Sequence, residues 1–388
     1  MYNSRFPEQV YHDRVLAMQE KVRESDLDAV VVAATESEPA NVRYFSNYWP
    51  VFESAGVLIG REGDAKLLIG PESGTLADDH SVLPEYRKLV EFRESSDPEY
   101  PEVGHTTFSE VFAELNNGEM ISKVGLVGSN IMPLPVYQGI VSALPGGEVA
   151  DANQLLREMR MIKSEDEVAL IREAADIAAK GFDRVLQRIK PGMTEVQVAA
   201  ECIHAVLSEG AEATGFLVWC VSGRGTNQAI SKSRLKKIEK GEVVQISMGA
   251  MVGGYVASFG RPLIFGNVKP EIQRMFDVCR EANQLTHERI KAGVNASTVA
   301  RDVHDHIRKC GLGDCIVYGP AHGIGMAECE YPFVESTSDY LLREHMTFAV
   351  DTFLAGPDFG MRIEDPVVVR KNGEEQLCSH ERELVVLQ

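Results

Sequence analysis

Gly241-Glu-Val-Val-Gln-Ile-Ser-Met-Gly-Ala-Met-Val-Gly-Gly-Tyr-Val-Ala-Ser-Phe-Gly-Arg261 reads as two strands around a turn at Gly253-Gly254. Side chains alternate across a strand. Gln245, Ser247 and Gly249 therefore share one face, and Val244, Ile246 and Met248 share the other. The second strand puts the small residues Ala257 and Ser258 in its middle. Small and polar residues backed by an apolar face suit the floor of a cavity. The same pattern also describes a plain hairpin with one wet side.

Composition bounds what surrounds this hairpin. The chain has 388 residues, enough for about two domains with a buried core. Hydrophobic residues make up 44% and charged residues 25%, the profile of a soluble globular protein. A formal net charge of -19 opposes binding to nucleic acid or anionic membranes. No apolar run reaches transmembrane length. The start, Met-Tyr-Asn-Ser-Arg-Phe-Pro-Glu, lacks the regions of a signal peptide. Seven scattered cysteines without a Cys-x-x-Cys spacing read as reduced thiols. The expectation is a cytoplasmic protein with no nucleic-acid or membrane partner.

Along the chain, Val10, Val15, Leu16, Met18 and Val22 have helical spacing. Asp28-Ala-Val-Val-Val-Ala-Ala reads as a buried strand, and residues 41–60 as aromatic strands. Shorter strands follow near 65–69 and 123–128, with a helix near 133–143. This alternation predicts a small α/β domain over residues 1–155. Residues 155–188 read as one long helical segment, with Ser164 and Glu167 spaced as a capping box inside it. Thr194 caps the next helix after the Pro191-Gly192 break. Helices over about 268–292 and 297–310, with strands near 347–354, 361–370 and 383–387, make residues 156–388 an α+β domain with helices on one face of an antiparallel sheet.

Four segments, the hairpin among them, line up. They are Ser222-Gly-Arg-Gly-Thr-Asn-Gln-Ala-Ile-Ser-Lys232, the hairpin itself, Gly319-Pro-Ala-His-Gly-Ile-Gly-Met-Ala-Glu-Cys-Glu-Tyr-Pro332, and Phe348-Ala-Val-Asp351 with Met361-Arg-Ile-Glu-Asp365. Their order and spacing resemble the creatinase/aminopeptidase P/prolidase superfamily. The resemblance implies an α/β N-terminal domain, a pita-bread C-terminal domain and a homodimer. Peptidases of that family hold two metal ions with two aspartates, one histidine and two glutamates. By the resemblance, the aspartates fall on Ser247 and Ser258, the histidine on His322, and the glutamates on Asp351 and Glu364. A serine hydroxyl is neutral, and two lost carboxylates leave little charge to hold two cations. Lys232 and Cys329 stand where the family's helper histidines fall.

The expectation is accordingly a creatinase-like hydrolase that cleaves a C–N bond in a small nitrogenous substrate without a metal cofactor. The alternatives are a metal-dependent Xaa-Pro dipeptidase and a non-catalytic binding protein. His322, Asp351 and Glu364 are the candidate acid–base residues, with Lys232 as a base or carboxylate clamp. In another reading, Arg362 and backbone donors satisfy the two acids. In a further one, His322, Asp351 and Glu364 hold a single divalent metal. Arg224, Arg261, Ser247, Ser258 and Cys329 are candidate substrate contacts, and Glu212 or Glu328 could orient a cationic group. In the N-terminal half, Trp49, Phe52 and Glu53 form an aromatic and acidic run suited to a cation. By resemblance, that run borders the partner subunit's pocket.

Overall fold

A computed structural model describes residues 4–115 and 121–388; the first three residues of the start read for targeting lie outside these. The chain divides into two compact units, residues 1–159 and 160–388. No helix among the described residues is long and apolar enough to cross a membrane.

The first unit contains α1 (Glu8–Glu24), β1 (Ala29–Ala34), α2 (Ala40–Ser46), β2 (Ala55–Gly60), β3 (Lys66–Ile69), α3 (Gly74–His80), β4 (Tyr86–Lys88), α4 (Phe108–Leu115), β5 (Lys123–Val127), α5 (Leu134–Ser142) and β6 (Glu148–Asp151). Its six strands form one mixed sheet in the order β4-β3-β2-β1-β5-β6. Val31, Leu58, Phe92, Phe108 and Val124 meet in a buried core against that sheet. Residues 40–46, read above as strand, are a helix. Their β-favouring Val42, Tyr44 and Phe45 are all buried, and this tertiary packing overrides local preference. Asn47 ends the helix in the left-handed region at φ 60°.

Helix α6 (Asn153–Met161) precedes the elements of the second unit, which are α7 (Glu165–Leu186), α8 (Glu195–Ser208), β7 (Ala213–Thr214), β8 (Trp219–Ser222), β9 (Val243–Val252), β10 (Tyr255–Phe265), α9 (Pro270–Arg289), α10 (Ala296–Lys309), β11 (Ala321–Gly323), β12 (Glu330–Val334), β13 (Thr347–Ala355), β14 (Gly360–Arg370), β15 (Gly373–Gln376) and β16 (Val385–Leu387). The segment 155–188 is thus two helices. Ser164 and Glu167 form a complete capping box that starts the second.

Ten strands form one sheet along the path β12-β11-β13-β14-β10-β9-β7, with β8, β15 and β16 attached. β9 and β10 are joined by Gly253 and Gly254 at φ 56° and 83°, the positive pair that a two-residue hairpin turn requires. One face of the sheet is apolar and packs on helices: Leu354 and Ile363 meet Ile272, Phe276 and Val303 in one buried cluster. The other face carries Gln245, Ser247, Ser258, Glu364 and Asp351, all buried. This is the α+β pita-bread architecture.

Arg261 and Asp365 lie among the helix-side residues, 0% and 1% exposed, with Nη2 to Oδ1 at 2.6 Å. Arg382 Nε bonds the other Asp365 oxygen at 3.0 Å. Arg261 also donates to the carbonyls of Gly260, Glu364, His380 and Glu381. Burial would raise the Asp365 carboxyl, but Arg261 and Arg382 hold it below the usual carboxylate range. Removing one partner from such a pair leaves a buried charge alone, at about 3–5 kcal/mol. Asp365→Ala should therefore lower the stability of the second unit by that amount in denaturant titration. The folded-state pKa is depressed, so the contribution is complete above the unfolded value of about 4 and lost as pH falls through the folded value. The stability difference between parent and variant should shrink below about pH 4.

Candidate functional site

The polar face is built by strand register. Ser247 in β9 opposes Gly260 in β10. Gly260 opposes Glu364 in β14, and Glu364 opposes Asp351 in β13. Residues directly opposed across a sheet point to the same side. The glycine leaves room in this row: a Cβ on Gly260 would lie 3.1 Å from Glu364 Cβ and 3.3 Å from Glu364 Oε2. His322 in β11 opposes Ala349, two residues before Asp351, and so faces the same side. Ser258 and Arg362 join the same face, each two residues from a member of the row.

The groups sort into two sets. In the first, Tyr318 Oη donates to Asp351 Oδ2 at 2.5 Å, and Arg362 Nε lies 3.2 Å from Asp351 Oδ1. Arg362 Nη2 donates to Tyr318 Oη at 2.7 Å and to the Ala229 carbonyl at 2.8 Å. The guanidinium sits 4.8 Å from the Phe353 ring centre and 5.6 Å from that of Trp219. Burial opposes its charge, yet Asp351 raises its pKa above the ordinary arginine value. Burial and then Asp351 push Tyr318 well above the usual phenol range. Arg362 is a fixed cation here, and Tyr318 a fixed donor.

In the second set, His322 Nε2 lies 3.7 Å from Glu328 Oε1. Ser258 Oγ donates to that same oxygen at 3.2 Å. His322 Nδ1 lies 3.2 Å from the Gly323 carbonyl, which accepts its proton and leaves Nε2 turned toward Glu328. Glu364 is 2% exposed, and its Oε1 has no hydrogen-bond partner among the described residues. Ligand atoms of His322, Glu328 and Glu364 all lie within 4.8 Å of one another. Burial, then Asp351 and Glu328, push the Glu364 carboxyl far above the usual carboxylate range. Burial lowers the His322 pKa, but Cys329, Glu328 and Glu364 outweigh it and bring it to about 10. Both shifts express one field: the cluster gathers positive charge.

Other sequence candidates sit elsewhere. Lys232 is exposed, so the burial that a lysine base needs is missing. Arg224 is exposed on the same loop, which reaches the site through the Ala229 carbonyl instead. Arg261 belongs to the structural pair with Asp365 and faces away from the polar side. Ser247 Oγ is fully buried without a partner. Cys329 is exposed, and its thiol is one of the groups that raise the His322 pKa. In the first unit, Glu53 is 3% exposed and accepts from Ser73 Oγ at 2.5 Å and from Glu72 N at 3.1 Å. That carboxylate serves its own unit and offers no acidic wall to a cation. Trp49 Nε1 bonds the Glu36 carbonyl at 3.1 Å, whereas Phe52 is 77% exposed. Tyr318 and Trp219 were not found from sequence, because only strand pairing brings them beside Arg362.

The donor chemistry decides what the site can hold. Ser247 and Ser258 supply no carboxylate, and Asp351 is engaged by Arg362 and Tyr318. The described residues therefore do not fit a pair of divalent ions. One imidazole and two carboxylates, from His322, Glu328 and Glu364, do fit one. A single-ion set using Asp351 is not assembled, because a guanidinium occupies one side of that carboxylate.

Comparison with known proteins bears on the same point. The Xaa-Pro dipeptidase of Pyrococcus furiosus is 26% identical over 93% of this chain and 96% of its own length. The crystal structure of an X-Pro aminopeptidase from Thermotoga maritima superposes with a TM-score of 0.83 at 26% identity, over 97% of this chain and 99% of that one. The prolidase of Pyrococcus horikoshii gives 0.83 at 26% identity, over 96% and 100%. These relatives overturn the expectation of a creatinase-like hydrolase and favour its dipeptidase alternative. The expectation of no metal cofactor falls with it, since the matching family is one of metallopeptidases. The Creatinase/Prolidase N-terminal domain matches residues 14–162, and Metallopeptidase family M24 matches residues 169–371, more than half of the chain. The chain belongs to metallopeptidase family M24.

Proposed function

We propose that this chain is a metal-dependent dipeptidase of the Xaa-Pro type, which hydrolyses the amide bond to an imino-acid nitrogen. The observation that carries the reading is the buried His322–Glu328–Glu364 cluster beside a fixed guanidinium, in a chain whose relatives bear Xaa-Pro dipeptidase names. A bound divalent cation supplies Lewis acidity and a water of lowered pKa. Everything else falls to the protein's own groups.

Arg362 and Tyr318 hold Asp351 in one orientation, and Arg362 keeps a positive charge beside the acids. A fixed cation suits the anionic oxygen that develops when a carbonyl is attacked. Glu364 is one of the carboxylates that would hold the ion, and the proton for the departing nitrogen comes from the water that attacks the carbonyl. An imino nitrogen leaving a dipeptide needs one such proton. Trp219 opposes Ser247 at the edge of the polar face, and Phe216 packs edge-on against it at 5.5 Å between ring centres. This apolar pair suits the ring of a proline.

A panel of dipeptides tests the reading. Xaa-Pro dipeptides should be cleaved with added Mn2+ or Co2+, Xaa-Ala dipeptides poorly, and chelator should abolish turnover. Equal cleavage of both series, or none with any cation, would sink the idea.

Trp219→Ala should raise KM for Xaa-Pro substrates about tenfold, by loss of apolar contact worth roughly 1–2 kcal/mol, with kcat little changed. An unaltered KM removes Trp219 from the substrate wall. His322→Ala should lower kcat/KM by roughly a hundredfold or more.

A further inference from the structure

We infer that the metal centre is a relocated single-ion site, in which Glu328 supplies a carboxylate ligand in place of those missing at Ser247 and Ser258. The assignment deepens the metal-dependent reading above and rests on it.

Three observations converge. The first is geometry: His322 Nε2, a Glu328 oxygen and a Glu364 oxygen come within one another's reach at ligand distances for a common ion. The second is an unmet demand. Glu364 is nearly fully buried, and its Oε1 finds no hydrogen-bond donor among the described residues. Ser247 Oγ, in the same cross-strand row with only Gly260 between, is fully buried and equally unpartnered. Buried polar atoms without partners cost free energy, and a cation meets the demand of the carboxylate. The third is preorganisation of Glu328. Ser258 Oγ–H holds its Oε1 at 3.2 Å, the kind of outer contact that aims a metal ligand.

The loop that carries Glu328 is itself pinned. The Val256 N–H bonds the Gly325 carbonyl at 2.7 Å, and Thr347 Oγ1 bonds the Ile324 carbonyl at 2.6 Å. Glu330 pairs with Lys163 Nζ at 2.8 Å and with Arg160. Its carboxylate also accepts from the Ala327 N–H at 3.3 Å. Glu328 therefore projects from a fixed turn between His322 and Glu330.

Charge explains why one ion replaces two. Relative to a set with aspartates at 247 and 258, the face lacks two negative charges, and Glu328 and Glu364 are the carboxylates left around His322. Two carboxylates and a neutral imidazole balance a single dication. Asp351 is balanced by Arg362, whose guanidinium repels a second cation at that carboxylate.

The test is calorimetric titration of the metal-stripped full chain with Mn2+. It is run in parallel on His306→Ala to account for the exposed Glu281–His306–Cys310 group. One ion per chain is expected outside that group. Glu328→Gln should weaken its binding at least ~100-fold, and Ser258→Ala, which keeps all three ligands, ~10-fold. If Glu328→Gln does not fold, judged by its melting curve, Ser258→Ala decides. Unchanged affinity in the deciding variant, or two ions in the parent, overturns the assignment. Xaa-Pro cleavage that needs metal but is indifferent to Glu328 leaves the dipeptidase reading standing without this site. A tight single ion weakened in Glu328→Gln, with no dipeptide cleaved, keeps the site and removes the dipeptidase reading.

Discussion

The register between β10 and β14 is the constraint on which the rest of the site depends. On one face it places Glu364 against Gly260, with Ser247 and Asp351 at either side. On the other face it joins Arg261 to Asp365, residues 104 apart in the chain. A slip of one residue would exchange the two faces of β14. It would strand a buried aspartate away from its arginine and turn Glu364 into the helix-packed core. The structural ion pair and the functional row therefore enforce each other through one backbone.

Glycine at 260 is the second requirement. The row needs a position without a side chain, because the Glu364 carboxylate occupies the space above it. The apolar face beneath is filled by Ile363 and Leu354 against helix α9, so the strands that carry the polar face are rigid. A site on such strands holds its groups more closely than one on loops.

The polar face divides its charges. Asp351, Tyr318 and Arg362 form a closed, internally balanced set. His322, Glu328 and Glu364 form an open one with excess negative charge. Only the second set draws in a cation or a proton, which is why His322 is pushed toward its charged form and Glu364 toward its neutral one. The same fold thus separates a fixed positive charge from an exchangeable one within a single sheet face.

Much of this was legible in the residues. Period-two alternation in 241–261 defined a polar and an apolar face, because alternation is a local property of extended chain. By the family resemblance, Ser247 and Ser258 stand where two carboxylates fall, and His322, Asp351 and Glu364 are the remaining groups of that set. Local pattern misread residues 40–46, where burial of Val42, Tyr44 and Phe45 outweighed strand preference. Partnership was the part only the tertiary structure decided. Arg261 and Arg362 look alike in sequence, yet one locks the helix side and the other guards Asp351. Glu328 read only as an acid that could orient a cationic group, and the turn after β11 brings it to His322. Ion pairs and shared cation sites depend on distance in space, as Arg261 and Asp365 show from strands 104 residues apart in the chain.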